Sequence, residues 1–178
     1  MRLGVNIDHV ATLRNARGEA YPDPGKGAAT VVAAGADLVT CHLRFDERHI
    51  RAGDLPGIRA ASPVLNFECA AHEAMIDVAL RLKPDWVCLV PEKREELTTE
   101  GGMDVRATEV LVAAIDTLQE AQIKVSLFVD PDETVVSRCK ALGVDAIELH
   151  TGTYANAGKD EVSRELERLQ RASILAEK

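Results

Sequence analysis

The sequence lacks an excess of basic residues: 21 Lys and Arg are outnumbered by 29 Asp and Glu, giving a formal net charge of -8 at pH 7. A general nucleic-acid binder needs a basic face to displace counterions from phosphates, so we expect no nucleic-acid partner. The sequence also lacks an apolar run long enough to span a bilayer. Asn6 and Asp8 interrupt the N-terminus too early for a secretory signal, which favours a cytoplasmic protein with no membrane partner.

Closely spaced cysteines are also absent. Cys41, Cys69, Cys88 and Cys139 form no CxxC pair and lie in or beside apolar segments, so we interpret them as reduced core thiols rather than disulfides or zinc ligands. No P-loop, GxGxxG, HExxH or GxSxG pattern occurs. Nucleotide kinases, dinucleotide oxidoreductases, zincins and hydrolases with a nucleophile elbow therefore lose their simplest sequence support.

Short apolar runs alternate with segments of helical periodicity, a pattern typical of strand–helix units around a parallel sheet. Strands are predicted at residues 3–7, 38–43, 64–67, 86–90, 125–129 and 146–149. Helices are predicted at 27–34, 55–60, 72–82, 107–122, 133–142 and 160–176, with long loops at 14–24 and 92–104. We expect one α/β domain over residues 1–178, built as a doubly wound open sheet or as part of a (β/α)8 barrel. Both architectures place their chemistry at the carboxyl ends of the strands.

Polar groups do follow nearly every predicted strand. Glu68 and Glu148 are the strongest functional candidates, because a carboxylate at the end of an apolar strand is costly unless it is paired or functional. His72 is interpreted as a structural group on its helix, and Asp8 and Asp130 could simply cap the segments that follow. A basic subset could bind phosphate through paired hydrogen bonds, namely Arg14, Arg17, Arg44, Arg48 and Lys93.

Six sequence strings, in the same order and over nearly the whole chain, resemble those of the pyridoxine 5'-phosphate synthase family. They are GVNIDHVATLRNARG at 4–18, YPDP at 21–24, HLR followed by RHI at 42–50, LVPEKREELTTEGG at 89–102, VSLFVD at 125–130 and IELHTG at 147–152. NIDH alone is a weak signal, whereas the combination is specific.

The resemblance implies a (β/α)8 TIM barrel that condenses 3-amino-2-oxopropyl phosphate with 1-deoxy-D-xylulose 5-phosphate, giving pyridoxine 5'-phosphate, phosphate and water. It implies no metal and no organic cofactor. Carried onto matching positions, His42 and Glu68 become proton acceptors and Glu148 stabilises a transition state. Asn6 and Arg17 would bind the aminoketone phosphate. The implied ligands of the deoxyxylulose phosphate are Asp8, His9, Arg44, His49 and Thr98.

The sequence departs from the family pattern at three places. Phe45 stands where we expect an acidic residue, and Cys69 stands where we expect methionine. The sequence contains six strand–helix units, whereas a complete barrel of about 250 residues has eight, and the Gly-His-Gly string of the family's last units does not occur. We therefore expect a C-terminally truncated barrel, with open strand edges and an exposed apolar interior, that self-associates as the homo-oligomeric family does.

Two alternatives remain open at this point. One is a metal-dependent barrel enzyme whose ligands come from His9, His42, Glu68, Glu148 and His150, since imidazole and carboxylate groups at strand ends can enclose a divalent ion. The other is a non-catalytic truncated barrel fragment that binds substrate or a complete subunit.

Overall fold

In the computed structural model, which describes residues 1–92, 101–106 and 108–177, six parallel strands form one sheet in the order β1-β2-β3-β4-β5-β6. The strands are β1 Gly4–Asn6, β2 Leu38–His42, β3 Leu65–Cys69, β4 Trp86–Leu89, β5 Lys124–Val129 and β6 Ala146–Leu149. Every neighbour in the sheet is also a neighbour in sequence, which is the topology of a barrel wall rather than of a doubly wound sheet. The α/β barrel prediction is confirmed, with six strand–helix units present.

Helices connect the strands, as parallel pairing requires. They are α1 Asp8–Arg17, α2 Pro24–Ala33, α3 Leu55–Ala61, α4 Glu73–Leu82, α5 Glu109–Glu120, α6 Glu133–Ala141, α7 Gly152–Asn156 and α8 Val162–Ala176. A single 3₁₀ turn, Ala52–Asp54, precedes α3. No helix in these described stretches combines the length and the apolarity that a membrane crossing demands.

Side-chain hydrogen bonds at the observed helix starts explain several boundaries. Asp23 accepts hydrogen bonds from the backbone N–H groups of Gly25 and Lys26 at the start of α2, and Asp132 does the same for Thr134 and Val135 at the start of α6. These caps satisfy backbone donors that have no partner inside the helix.

Helix α1 was missing from the sequence prediction. Its sequence, DHVATLRNAR, lacks a strong apolar stripe, and the segment from residue 14 onward was assigned to a loop. The helix ends at Gly18, whose positive φ of 68° suits glycine and turns the chain away from the helix axis.

The outer face of the sheet, against the helices, carries the apolar core. Alternate residues of the central strands point this way, and many are completely buried, including Phe67 of β3 and Val125, Leu127 and Val129 of β5. The outer-face residues of β2 to β5 are Val39, Cys41, Leu65, Phe67, Cys69, Val87, Leu89, Val125, Leu127 and Val129.

The inner face is largely polar, which corrects the expectation of an exposed apolar interior. The pairing register of the strands places two rows of neighbouring residues across the inner face. The lower row is Asn6, Thr40, Asn66, Trp86 and Lys124, and the upper row is His42, Glu68, Cys88, Ser126 and Ala146. The apolar runs seen in the sequence thus alternate with polar inward positions, and the upper row brings two candidate proton acceptors side by side.

Candidate active site

Asp8 ties the ends of β1 and β2 together. Its Oδ1 accepts a hydrogen bond from the backbone N–H of His42 at 2.8 Å, and its Oδ2 accepts one from Asn6 Nδ2 at 2.9 Å. The Asp8 backbone N–H in turn donates to Asn6 Oδ1 at 2.8 Å. Burial raises the pKa of the Asp8 carboxyl, while these hydrogen bonds oppose the rise. Asp8 therefore fixes the backbone that presents His42, and its side chain makes no capping hydrogen bond at the start of α1, so the capping interpretation is wrong for Asp8.

His42 is a buried imidazole with a free nitrogen. The residue is 9% exposed, and Nε2 has no hydrogen-bond partner among the residues that the structure describes. Burial, and then the positive charges of Arg44 and His49, lower the pKa of His42 to about 4. The ring is therefore neutral at pH 7 and can accept a proton.

Glu68 lies beside His42 in the upper row. Burial, followed by the negative charges of Glu148 and Asp8, raises the pKa of the Glu68 carboxyl to about 8. Ionising groups of Asp8, His42 and Glu68 come together at the rim, one donor atom of each lying within 4.8 Å of the others. A carboxyl with a pKa near neutrality, next to a neutral imidazole, can exchange protons with a bound substrate.

Glu148 completes the acidic side of the site from the edge strand β6. The residue as a whole is exposed, but its carboxyl lies against β4, where Oε2 accepts a hydrogen bond from the Cys88 thiol at 3.6 Å. Partial burial of the carboxyl raises the Glu148 pKa, and the Cys88 hydrogen bond opposes that rise. Glu148 and Glu68 are close enough for the charge of Glu148 to raise the pKa of Glu68.

Arg44 follows β2 and supplies a buried cation at the same rim. It is 6% exposed, its Nε lies 3.4 Å from Asp46 Oδ1 and 3.9 Å from Glu92 Oε1, and its Nη2 has no partner among the described residues. A buried guanidinium with an unpaired donor can bind an anionic group such as a phosphate.

The two other histidines of the predicted site lie together near α1. Thr12 Oγ1 is 2.7 Å from His49 Nδ1 and 3.2 Å from His9 Nδ1, and the two ring centroids are 5.6 Å apart. Arg17 lies exposed at the end of α1, with its guanidinium over the ring of Tyr21. The structure therefore brings His9 and His49 together but places Arg17 at the periphery. Thr98 and Lys93 lie outside the described residues.

Two members of the predicted phosphate-binding subset have other partners. Arg14 is buried and donates to both carboxylate oxygens of Asp54, at 2.5 and 2.9 Å, so the prediction that it binds phosphate is wrong. Arg48 forms an ion pair with Asp46 at 2.5 Å. His72 is the N-cap of α4, where its Nδ1 accepts a hydrogen bond from the backbone N–H of Ala74, and its structural interpretation is confirmed.

The five-residue ligand set of the metal hypothesis is not assembled. Only His42 and Glu68 of that set belong to the trio of neighbouring donor groups found in the described part of the chain. His9 contacts Thr12, and His150 Nδ1 lies 3.0 Å from Asp130 Oδ1.

Sequence comparison matches residues 3–178 to the family model described as "Pyridoxal phosphate biosynthesis protein PdxJ". Three relatives carry the name pyridoxine 5'-phosphate synthase. The protein of Gluconobacter oxydans is 54% identical over 92% of this chain and 71% of its own length. Those of Pseudoalteromonas translucida and Zymomonas mobilis are 52% and 51% identical, over 94% and 99% of this chain and 70% of each relative.

Comparison with solved structures supports the barrel fold. A mandelate oxidase superposes with a TM-score of 0.62 at 13% identity, covering 97% of this chain and 63% of the oxidase. An oxaloacetate acetylhydrolase in complex with oxalate gives 0.54 at 18% identity, covering 95% of this chain and 60% of the hydrolase. At these identities the match concerns the fold alone, and the chain spans about three fifths of those structures. By the sequence match over residues 3–178, together with the similarity to the three relatives named above, this chain belongs to the PdxJ family of pyridoxal phosphate biosynthesis proteins.

Proposed function

We propose that this chain is a pyridoxine 5'-phosphate synthase, condensing 3-amino-2-oxopropyl phosphate with 1-deoxy-D-xylulose 5-phosphate to give pyridoxine 5'-phosphate, phosphate and water. The observation that carries the proposal is the adjacent pair His42 and Glu68, at the carboxyl ends of β2 and β3. Family membership favours this activity over the metal-dependent and non-catalytic alternatives.

The reaction needs repeated proton transfers, because imine formation, loss of water and phosphate, and ring closure each move protons. The neutral imidazole of His42 can accept a proton at pH 7 since its pKa is about 4. Glu68, whose pKa is about 8, can hold a proton and release it near neutral pH. Glu148, on the neighbouring side, stabilises a transition state.

The substrate-binding roles of the remaining residues are those that the family resemblance implies. Arg44 and His49 hold the phosphate of the deoxyxylulose phosphate, with Asp8, His9 and Thr98 as its other ligands. Asn6 and Arg17 bind the aminoketone phosphate. Holding both substrates at one rim makes ring closure effectively intramolecular.

The working form of the protein is a cytoplasmic homo-oligomer. Both substrates are phosphorylated small molecules, whose charge retains them in the compartment where they are made. Exposed apolar side chains on the helices, such as Val110 (60% exposed) and Ile174 (56% exposed), are candidates for burial between copies. Light scattering coupled to size-exclusion chromatography measures the mass of the assembly.

The test is mass-spectrometric detection of pyridoxine 5'-phosphate after incubation of the purified chain with both substrates. His42→Asn removes the proton acceptor, and His72→Asn is the matched control, because asparagine can still cap α4. We expect product from the unaltered chain and from His72→Asn, and none from His42→Asn. The absence of product from the folded, unaltered chain would contradict the proposal.

A further inference from the structure

Cys88 differs from the other three cysteines in its position. All four are buried and free. Cys41, Cys69 and Cys139 belong to the apolar core between sheet and helices, whereas Cys88 is absent from that core. It occupies the upper row of the inner face, between Glu68 and Ser126, and is 0% exposed. The interpretation of all four cysteines as buried free thiols is confirmed, but Cys88 lies on the inner face of the sheet and not in the cluster between sheet and helices.

The Cys88 thiol contacts a candidate catalytic carboxylate. Its Sγ donates to Glu148 Oε2 at 3.6 Å, which links β4 to β6 across the intervening strand β5. This is the hydrogen bond that the Glu148 side chain makes within the described residues. Glu148 stands on an edge strand and is exposed, so without the thiol its side chain would be free to turn toward solvent.

We propose that Cys88 is a positioning residue that holds the carboxyl of Glu148 beside Glu68, a role that rests on the proposed synthase function. A neutral thiol suits this position because it donates one hydrogen bond and adds no charge to a site that already contains three carboxyl groups. Burial raises the pKa of the Cys88 thiol, which keeps it protonated and able to donate.

The placement of Glu148 also affects how readily Glu68 ionises. The charged and titratable groups around Glu68 are Asp8 at the start of α1, His42 at the end of β2, Cys88 on β4 and Glu148 on β6, while Asp130 and His150 contact each other further along. Glu148 and Asp8 raise the pKa of Glu68. If Glu148 turned away, Glu68 would lose a proton at lower pH, and a rate that depends on ionised Glu68 would begin to rise at lower pH.

The test compares Cys88→Ala with Cys88→Ser, and uses Cys139→Ala as the matched control in the apolar core. For Cys88→Ala we expect kcat to fall about tenfold with KM nearly unchanged, because a donor to a charged group is lost. In the pH–rate profile of Cys88→Ala, the rate should begin to rise at a lower pH than in the unaltered chain. Cys88→Ser, which retains a donor, should keep most of kcat and the original profile, and Cys139→Ala should change stability without moving the profile.

Two kinetic outcomes would overturn the proposal. One is a Cys88→Ala variant with unaltered kcat and pH profile. The other is a Cys88→Ser variant as impaired as Cys88→Ala, since this would mean that packing of the sulfur, rather than its hydrogen bond, is what matters.

A second measurement does not depend on activity. The infrared S–H stretching band of Cys88 can be assigned by its loss in Cys88→Ala, and a hydrogen-bonded thiol absorbs at lower frequency than a free one. We expect Glu148→Ala to move this band to higher frequency, and an unmoved band would rule out the contact. If the unaltered chain made no pyridoxine 5'-phosphate, the proposed function would fail, while the infrared result would still decide whether Cys88 holds Glu148.

Discussion

The two faces of the parallel sheet are built from the same strands but have different roles. In β3, Phe67 points outward and is fully buried in the apolar core, while its neighbour Glu68 points inward and has a pKa of about 8. In β4, Val87 belongs to the core and Cys88 contacts Glu148. Because side chains alternate along a strand, one short segment contributes both to stability and to the chemical site.

This division also explains why the inner face tolerates costly features. Unpartnered buried polar atoms in the described residues include His42 Nε2, Arg44 Nη2 and Asn66 Oδ1, and all three residues lie on the inner face or just beyond its rim. Such atoms reduce the stability of the free protein. The outer core supplies the compensating stability, so substitutions on the two faces should have separable effects.

The largest expected change in stability comes from the outer face. Phe67→Ala removes a fully buried aromatic ring, and we expect it to lower the free energy of unfolding by about 3–5 kcal/mol. Asn66→Ala, one position away on the inner face, should lower the free energy of unfolding by less than about 1 kcal/mol. The loss is small because the substitution removes Oδ1, a buried oxygen that has no hydrogen-bond partner among the described residues and therefore costs stability. Urea denaturation measures both, and equal losses would refute the division between the faces.

A somewhat smaller loss is expected where α1 meets the 3₁₀ turn. Arg14→Met leaves Asp54 without its buried partner and should cost about 3 kcal/mol of unfolding free energy. Arg17→Met, on the exposed end of the same helix, is the control and should change stability by less than about 0.5 kcal/mol. Thermal unfolding monitored by circular dichroism distinguishes them. A comparable loss in Arg17→Met would contradict the structural role assigned to Arg14.

The smallest expected effect is a dependence of the free energy of unfolding on pH. The folded state raises the pKa of Glu68 from 4.5 to about 8, so stability falls as pH rises through this range. The folded state lowers the pKa of His42 from 6.5 to about 4, so the free energy of unfolding rises as pH increases between those values. In that interval the rise from His42 offsets part of the fall from Glu68. Above pH 6.5 the loss from Glu68 remains, and the free energy of unfolding should drop by up to about 2 kcal/mol between pH 6.5 and 8.

Glu68→Gln provides the control for this pH dependence, because glutamine cannot titrate. Urea denaturation at several pH values should give a nearly flat stability between pH 6.5 and 8 in this variant. If the variant kept the slope of the unaltered chain, the raised pKa would have to belong to another group.

The strands were predictable from sequence, and the polarity of the barrel interior was not. The six Val-, Ile- and Leu-rich runs located each of the six strands in the described part of the chain, and the run at 146–149 coincides with β6. Those runs suggested apolar strands on both faces, however. The polar inward residues, such as Thr40, Asn66 and Ser126, could be assigned to a face only once the register was known.

The site was predictable where a motif names a residue, and much less so where a partner is distant in sequence. The strand-end rule and the family resemblance selected His42 and Glu68, which the structure places side by side. The role of Arg14 depends on Asp54, 40 positions away, so its charge alone suggested phosphate binding. The contact of Cys88 with Glu148 spans 60 positions and has no local signal, although an inward cysteine in an alternating strand could have suggested it.

The account holds that chemistry belongs to the inner face and stability to the outer face, and two adjacent residues of β3 test this most directly. The measurement is the rate of pyridoxine 5'-phosphate formation in Glu68→Gln and Phe67→Leu, each beside its melting temperature. We predict that Glu68→Gln loses about 10³-fold in kcat while its melting temperature is maintained, because it removes a general base. Phe67→Leu should melt at lower temperature while kcat is retained. A Glu68→Gln variant with unaltered kcat would contradict the account.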